Sequence, residues 1–131
     1  LGLVYEKEGR WEDALEEYSN LEVSSSPFEI HERIGRVYLK MGVPSRSILH
    51  LKKALQHSDS DNPTSLSKVH YNMGIAYLKE GKVSEAIVHN ENAIRLDSTF
   101  VEAYNNLGIA FSEQGRLMLA ELKHILDMKS A

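Results

Sequence analysis

Histidine is the residue type in this chain best suited to metal binding or proton transfer, and its copies recur at regular spacing. His31 and His70 are separated by the same interval as His50 and His89. Equivalent positions on neighbouring helices of a repeat lie on the order of 10 Å apart, which is too far to share one zinc ion. The chain also has no cysteine and no His-Glu-x-x-His motif. We therefore expect no metal and no cofactor, and we interpret the histidine spacing as the product of an internal repeat.

Motifs typical of catalysis are absent from the sequence. It contains no Gly-x-Ser-x-Gly segment, no phosphate-binding loop and no dinucleotide fingerprint. Its many carboxylates, such as Glu12, Glu16 and Glu17, are spaced as on the solvated face of an amphipathic helix. We predict no catalytic residues and a protein that is not an enzyme.

A repeat runs along the whole chain, with an apolar residue, a glycine, and an aromatic residue three positions later. The four first glycines, Gly2, Gly35, Gly74 and Gly108, recur at similar intervals, of which the second is slightly longer. Seven residues after each comes a second glycine, at Gly9, Gly42, Gly81 and Gly115. Five residues further on is a small residue, at Ala14, Ser47, Ala86 and Ala120. A gapped pattern of this period is typical of a solenoid built from helical hairpins.

The two glycines of each repeat predict where helices cross and where they end. The first lets two helix backbones approach closely, and the aromatic residue lies on the same face one turn later. The second adopts the left-handed conformation that ends a helix without steric cost. Serines before Pro27 and Asn62 before Pro63 are N-cap signals. The predicted helices are 1–8, 11–24, 28–41, 44–57, 63–80, 83–96, 99–114 and 117–129. The extra residues from His57 to Pro63 either lengthen a neighbouring helix or form a longer loop.

Composition narrows the class of protein. The chain has 131 residues, 42% of them hydrophobic, which fits one globular domain. It has no apolar run of the roughly 20 residues that a membrane helix needs. Its net charge of −4 is opposite to that of a nucleic-acid binder. We expect no membrane insertion, no nucleic-acid partner and an intracellular, cytoplasmic location.

The repeat resembles that of the tetratricopeptide repeat (TPR) family, which has a period of about 34 residues and the pattern Trp-x2-Leu-Gly-x2-Tyr, then Ala-x3-Phe. The third copy, from Val69 to Asp97, matches best. The family's tryptophan position holds His31, His70 and Tyr104, and the aromatic position after the alanine holds Tyr18, Leu51, Asn90 and His124. The resemblance implies an all-α, right-handed superhelical α-solenoid of antiparallel helix pairs with about four repeats, the first truncated. The implied repeats are 1–27, 28–62, 63–97 and 98–131. Because the chain begins inside a first helix, we expect it to belong to a longer array whose open ends can self-associate.

In this family the first helix of each pair lines a concave groove that holds a partner. The resemblance implies a peptide-binding groove lined by Arg33, Arg36, Lys68, Tyr71, Asn72, Lys79, Asn105 and Asn106. The same face carries Glu29, Glu32, Ile75, Glu102, Ile109 and Glu113. In relatives that bind extended peptides, an asparagine at the position of Asn72 and Asn106 grips the ligand backbone, because an amide offers donors and an acceptor. The alternative is that these asparagines are consensus residues that face water.

The family's clamp for chaperone tails requires lysine and asparagine in one repeat, asparagine in the next, and lysine and arginine in the third. The corresponding residues here are Glu32, Arg36, Asn72, Glu102 and Asn106. Only one of these matches, and two are acidic where a carboxylate ligand would bind. That subclass is disfavoured.

The predicted function is a protein–protein interaction scaffold that binds a peptide segment or a helix in the concave groove. One alternative is the substrate-recruiting arm of a larger enzyme such as a protein glycosyltransferase. A second alternative is a structural segment of a multi-subunit assembly that makes its contacts through the convex face or the ends.

Overall fold

A computed structural model describes residues 1–21, 26–58 and 62–130, and the regular structure in them is α-helical. The helices are α1 (Gly2–Lys7), α2 (Trp11–Ser19), α3 (Pro27–Met41), α4 (Pro44–Gln56), α5 (Pro63–Lys79), α6 (Val83–Leu96) and α7 (Val101–Ser130). The first six form the hairpins α1/α2, α3/α4 and α5/α6, and each hairpin packs on the element that follows it. The prediction of an all-α solenoid of helix pairs is confirmed.

Glycine ends the first helix of each of these three hairpins, as predicted. Gly9, Gly42 and Gly81 have φ angles of 73°, 82° and 78°, which is the left-handed region that favours glycine. The predicted caps also form at the helix starts. The Ser26 hydroxyl accepts a hydrogen bond from the Glu29 amide at 3.2 Å, and the Asn62 side chain accepts one from the Thr64 amide at 3.1 Å.

The first glycines lie where the two helices of a hairpin cross. A Cβ atom added at Gly2, Gly35 or Gly74 would lie 2.5–2.7 Å from a side chain of the second helix. Those side chains are Tyr18, Leu51 and Asn90 respectively. Real Cβ atoms do not approach other atoms so closely, so a larger residue at any of these crossings would have to displace a buried side chain of the second helix.

Buried residues form two clusters along the solenoid. The first lies in α2 and α3 and contains Ala14, Tyr18, Ile30, Ile34 and Val37. The second extends from α4 to α7 and contains Ile48, Leu51, Val69, Met73, Ala76, Tyr77, Val83, Ala86, Ile87 and Ala110. Each cluster joins neighbouring hairpins, so the hairpins stack through buried apolar contacts.

The predicted turn at Gly115 is wrong, because α7 is a single helix of 30 residues. The predicted helices 99–114 and 117–129 are therefore one element, and the fourth repeat is not a hairpin. The helix predicted over 11–24 corresponds to α2, which ends earlier, at Ser19. Residues 22–24 lie outside the described part of the chain. The segment from His57 to Pro63 was predicted to lengthen a helix or to form a longer loop. Its residues 59–61 also lie outside the described part of the chain. Among the helices of the described residues, α7 included, none has the length and apolarity needed to cross a membrane.

Candidate peptide-binding groove

The first helices of the three hairpins share one open cleft of about 360 Å³. Three of the predicted groove residues line it, namely Arg33 and Arg36 of α3 and Lys68 of α5. The predicted acidic residues Glu29 and Glu32 line it as well. The structure therefore brings together the groove residues expected in the second repeat and one from the third.

Sequence reasoning missed three residues of the cleft, namely Leu3, Phe28 and Ser65. Leu3 is 54% exposed, so the cleft offers an apolar surface to solvent. Phe28 directly follows Pro27 at the start of α3, and Ser65 lies in the first turn of α5. An apolar residue on the exposed side of its helix is the signal that could have found Leu3. Phe28 also packs against the buried core, so its sequence pattern is that of a core residue.

Arg36 is held in place by a buried carboxylate from the first hairpin. Its Nη2 and Nε atoms donate to Glu6 at 3.0 and 3.2 Å, and its Nη1 atom donates to Glu32 at 3.1 Å. Lys40 donates to Glu6 at 3.1 Å, and the Tyr18 hydroxyl also donates to this carboxylate. This network joins α1, α2 and α3, so Arg36 is as much a structural residue as a groove residue.

The network shifts the pKa values of Glu6 and Tyr18. Burial alone would raise the pKa of Glu6, but the hydrogen bonds from Arg36, Tyr18 and Lys40 outweigh it and lower that pKa to about 2. Burial and the neighbouring Glu6 carboxylate raise the pKa of Tyr18 to about 12. Glu6 is therefore ionised and Tyr18 neutral across the physiological range.

The other predicted groove residues do not line this cleft. Tyr71 packs against Phe100 with ring centroids 4.8 Å apart, and Asn72 is half-buried on α5. Lys79 and Asn105 are exposed. The Nδ2 atom of Asn106 is buried and has no hydrogen-bond partner among the described residues.

A second cleft of about 360 Å³ lies between the α5–α6 turn and α7. It contains two residues predicted on the groove face of the fourth repeat, Ile109 and Glu113. Glu113 forms an ion pair with Arg116, which lines the same cleft. The residues predicted on the groove face thus divide between two clefts, and the others line neither of them.

The histidines pair within each hairpin. The Nδ1 atoms of His31 and His50 lie 3.1 Å apart, and those of His70 and His89 lie 2.9 Å apart. In each pair one ring donates and the other accepts, which requires at least one neutral imidazole. No group of three or more possible metal ligands occurs within the described ranges. The equal spacing seen in the sequence reflects two copies of the same contact.

Burial and neighbouring cations make these imidazoles harder to protonate. Burial, followed by the charges of His31, Lys53 and Arg46, lowers the pKa of His50 to about 4. Burial, His89 and Arg95 lower the pKa of His70, also to about 4. Both pairs are therefore neutral at pH 7.

Comparison with known proteins identifies the repeat. Residues 74–115 match the family model described as TPR repeat. Solved structures of TPR domains superpose on the chain over most of its length. Over residues 74–115 the chain is similar to the tetratricopeptide repeat family, and it shares the fold of solved TPR domains. No curated protein sequence matches it significantly.

Similar solved structures share the fold with this chain at low sequence identity. MamA is 24% identical with a TM-score of 0.75, over 88% of this chain and 65% of that protein. The second TPR domain of human RPAP3, solved in complex with the HSP70 peptide SGPTIEEVD, is 23% identical with a TM-score of 0.72, over 83% and 88%. The Hsp90 co-chaperone Cns1 from Saccharomyces cerevisiae is 21% identical with a TM-score of 0.83, over 98% and 42%. The chain thus spans less than two thirds of MamA and less than half of Cns1.

Proposed function

We propose that this chain is an interaction scaffold that binds a peptide segment in the cleft formed by α1, α3 and α5. The observation that carries the proposal is this open cleft, to which the first helices of three successive hairpins contribute. Solenoid proteins hold partners along such extended concave surfaces. The peptide complex of the similar RPAP3 domain supports the same use of the fold.

The chemistry of the cleft favours a ligand with an apolar anchor and charges of both signs. Leu3 and Phe28 provide apolar contact area at the cleft wall. Lys68 is exposed at one side, whereas Glu29 is exposed near the start of α3. An apolar anchor flanked by opposite charges places an extended segment in one register, because like charges brought together would be unfavourable.

The same charges argue against a strongly acidic peptide tail. Glu29 and Glu32 both line the cleft, and the Arg36 guanidinium is already engaged by Glu6 and Glu32. A peptide such as SGPTIEEVD, which binds the RPAP3 domain, would bring its carboxylates towards these two glutamates. We therefore expect it to bind this chain weakly.

Peptide display on the purified chain tests the proposal. Random 12- to 16-residue peptides selected on the parent are synthesised with a fluorophore, and their affinity is measured by fluorescence anisotropy. Lys68→Glu reverses a charge inside the cleft, and we expect it to weaken binding about tenfold or more. Lys52→Glu is the matched control, because Lys52 is also an exposed lysine and lies on the second helix α4.

The affinities of the two lysine variants and of the acidic peptide decide between the groove and its alternatives. Loss of binding in Lys68→Glu, with Lys52→Glu unchanged and both variants equally helical, supports the groove. Equal loss in both variants, or none in either, contradicts it and favours a structural segment that contacts partners elsewhere. Tight binding of SGPTIEEVD by the parent chain would contradict the expected discrimination against acidic tails.

A further inference from the structure

One side of α7 carries large apolar residues that no part of the described chain covers. Tyr104, Phe111, Met118, Leu122 and Ile125 are 43–64% exposed. They lie on one face of a continuous helix, and the face continues from the part that packs on α6 into the part beyond it. We call this face, from Tyr104 to Lys129, the α7 stripe.

The spacing of the stripe is that of a helix that pairs with another helix. Its positions are 104, 108, 111, 115, 118, 122, 125 and 129, in steps of four and three residues. Alternating steps of four and three residues produce the average period of 3.5 typical of a coiled coil. Two of the positions are glycines, and a Cβ atom added at Gly108 or Gly115 would meet nothing within 4 Å.

Folding back on α7 itself would not cover the stripe. The buried positions of α6 are Val83, Ala86, Ile87, Asn90 and Ala93. Their equivalents one repeat later are Leu117, Ala120, Glu121, His124 and Asp127. A hairpin turn at Gly115 would therefore bury two carboxylates and a histidine and leave Met118, Leu122 and Ile125 in water. This is unfavourable for both sets of residues.

We propose that the α7 stripe pairs in antiparallel orientation with the α7 stripe of a second copy of this chain, forming a symmetric dimer. The order of four- and three-residue steps along the stripe is the same from either end. Two antiparallel copies can therefore place every stripe position opposite a stripe position of the other copy. Antiparallel alignment places Gly108 opposite Ile125 of the second copy, and Gly115 opposite its Met118. Phe111 then faces Leu122 of the second copy, so that glycine positions receive large side chains.

The antiparallel alignment packs better than the alternatives. A parallel pair would set glycine against glycine twice, which leaves voids, and Phe111 against Phe111. At the ends of the antiparallel pair, the Lys129 ammonium of one copy lies over the Tyr104 ring of the other, a favourable cation–π geometry. The stripe spans 25 residue steps, or about 38 Å of helix. Such a contact is isologous, so it closes as a dimer and leaves no free stripe.

The size of the particle is the first test. At about 50 μM, well above a micromolar dissociation constant, light scattering after size exclusion should give twice the chain mass of 14.8 kDa. Leu122→Glu buries a charge at two symmetric sites, and we expect it to raise the dimer dissociation constant about 100-fold or more. Leu117→Glu is the control, since Leu117 is an exposed leucine on another face of the same helix. A monomeric parent, or a dimer that Leu122→Glu leaves intact, would overturn the proposal.

Cross-linking tests the orientation, because the chain has no cysteine of its own. In the double variant Phe111→Cys/Leu122→Cys the two thiols are 11 residues apart on one helix, about 16 Å, and cannot bridge within a chain. The proposal predicts a disulfide-linked dimer for the double variant and none for Phe111→Cys alone. A dimer from Phe111→Cys alone would indicate a parallel pair. An internally bridged monomer would indicate a folded-back hairpin, and either result would contradict the antiparallel dimer.

Discussion

At the level of single residues, the three hairpin crossings differ in the side chain that lies against the first glycine. The sequence pattern predicted the close approach at Gly2, Gly35 and Gly74, because only glycine lacks the Cβ that would clash. It did not predict that the side chain at Asn90 would leave a buried polar atom without a hydrogen bond, which lowers stability. The Nδ2 atom of Asn90 donates to the Ala86 carbonyl at 2.9 Å, but its Oδ1 atom is buried with no partner among the described residues.

Asn90→Leu should therefore stabilise the protein. The equivalent position in the preceding repeat is Leu51, and the substitution removes a buried acceptor without a hydrogen bond. We expect the free energy of unfolding to rise by about 1–2 kcal/mol, measured by urea denaturation. The reciprocal change Leu51→Asn should lower it by about 2–4 kcal/mol. A destabilised Asn90→Leu variant would show that the amide makes contacts that outweigh its unpaired oxygen.

Glu6 makes the stability of the first hairpin depend on Arg36. Arg36→Leu leaves a buried carboxylate with fewer partners, and we expect a loss of about 2–4 kcal/mol at pH 7. The folded-state pKa of Glu6 is lowered to about 2 from 4.5. Its stabilising effect is therefore present above pH 4.5 and lost as the pH falls towards 2.

Urea denaturation of the parent, Arg36→Leu and Glu6→Gln/Arg36→Leu at pH 7 and pH 3 tests this dependence. The double variant should recover part of the loss at pH 7, since no buried charge remains. The difference between the parent and Arg36→Leu should shrink at pH 3. An Arg36→Leu variant as stable as the parent at pH 7 would mean that Lys40 and Tyr18 suffice for Glu6.

At the level of elements, the first residues of α1 to α6 were predictable to within one residue, because glycine turns and N-caps are local signals. The end of α2 at Ser19 was not, since no glycine marks it. The seventh helix was not, because the repeat pattern placed a turn at Gly115 by analogy with Gly81. Whether the chain turns at a glycine depends on whether the segment after it has apolar residues at the positions that a hairpin would bury. Residues 117–129 present Glu121 and Asp127 where α6 presents Ile87 and Ala93, so the helix continues.

A matched pair of glycine substitutions tests the continuous helix. Gly81 has a φ angle of 78°, so Gly81→Ala should cost about 1–2 kcal/mol. Gly115 lies inside α7, and Gly115→Ala should raise helix stability by up to about 1 kcal/mol. Circular dichroism with urea at low chain concentration measures both. If Gly115→Ala were as costly as Gly81→Ala, the turn predicted from the repeat would be correct and the continuous helix wrong.

The histidine pairs link the two helices of a hairpin and should make it sensitive to acid. The pKa values of His50 and His70 fall from 6.5 to about 4 on folding. The neutral form is favoured in the folded state, so stability should fall as the pH decreases from 6.5 towards 4. Urea midpoints between pH 7.5 and 4.5 measure the slope, and His50→Leu/His70→Leu should flatten it. An unchanged slope in that variant would assign the acid sensitivity to other groups.

At the scale of the whole molecule, the sequence predicted which residues share a surface better than it predicted the contacts that each of them makes. The helix register placed Arg33, Arg36 and Lys68 on one surface, and they line one cleft. It could not foresee that Glu6 would engage Arg36, because that contact joins two separate hairpins. It also missed Leu3 and Phe28, since apolar residues near the ends of helices resemble ordinary core positions.

The groove claim is tested most directly by mapping a display-selected peptide onto the ¹⁵N-labelled chain by NMR. We expect the largest amide shift changes in α1, α3 and α5 around Leu3, Phe28 and Lys68, with α2, α4 and α6 little affected. Such a map would establish the cleft of the first helices as the binding surface. Shift changes concentrated on the second helices would contradict it and move the site to the convex face.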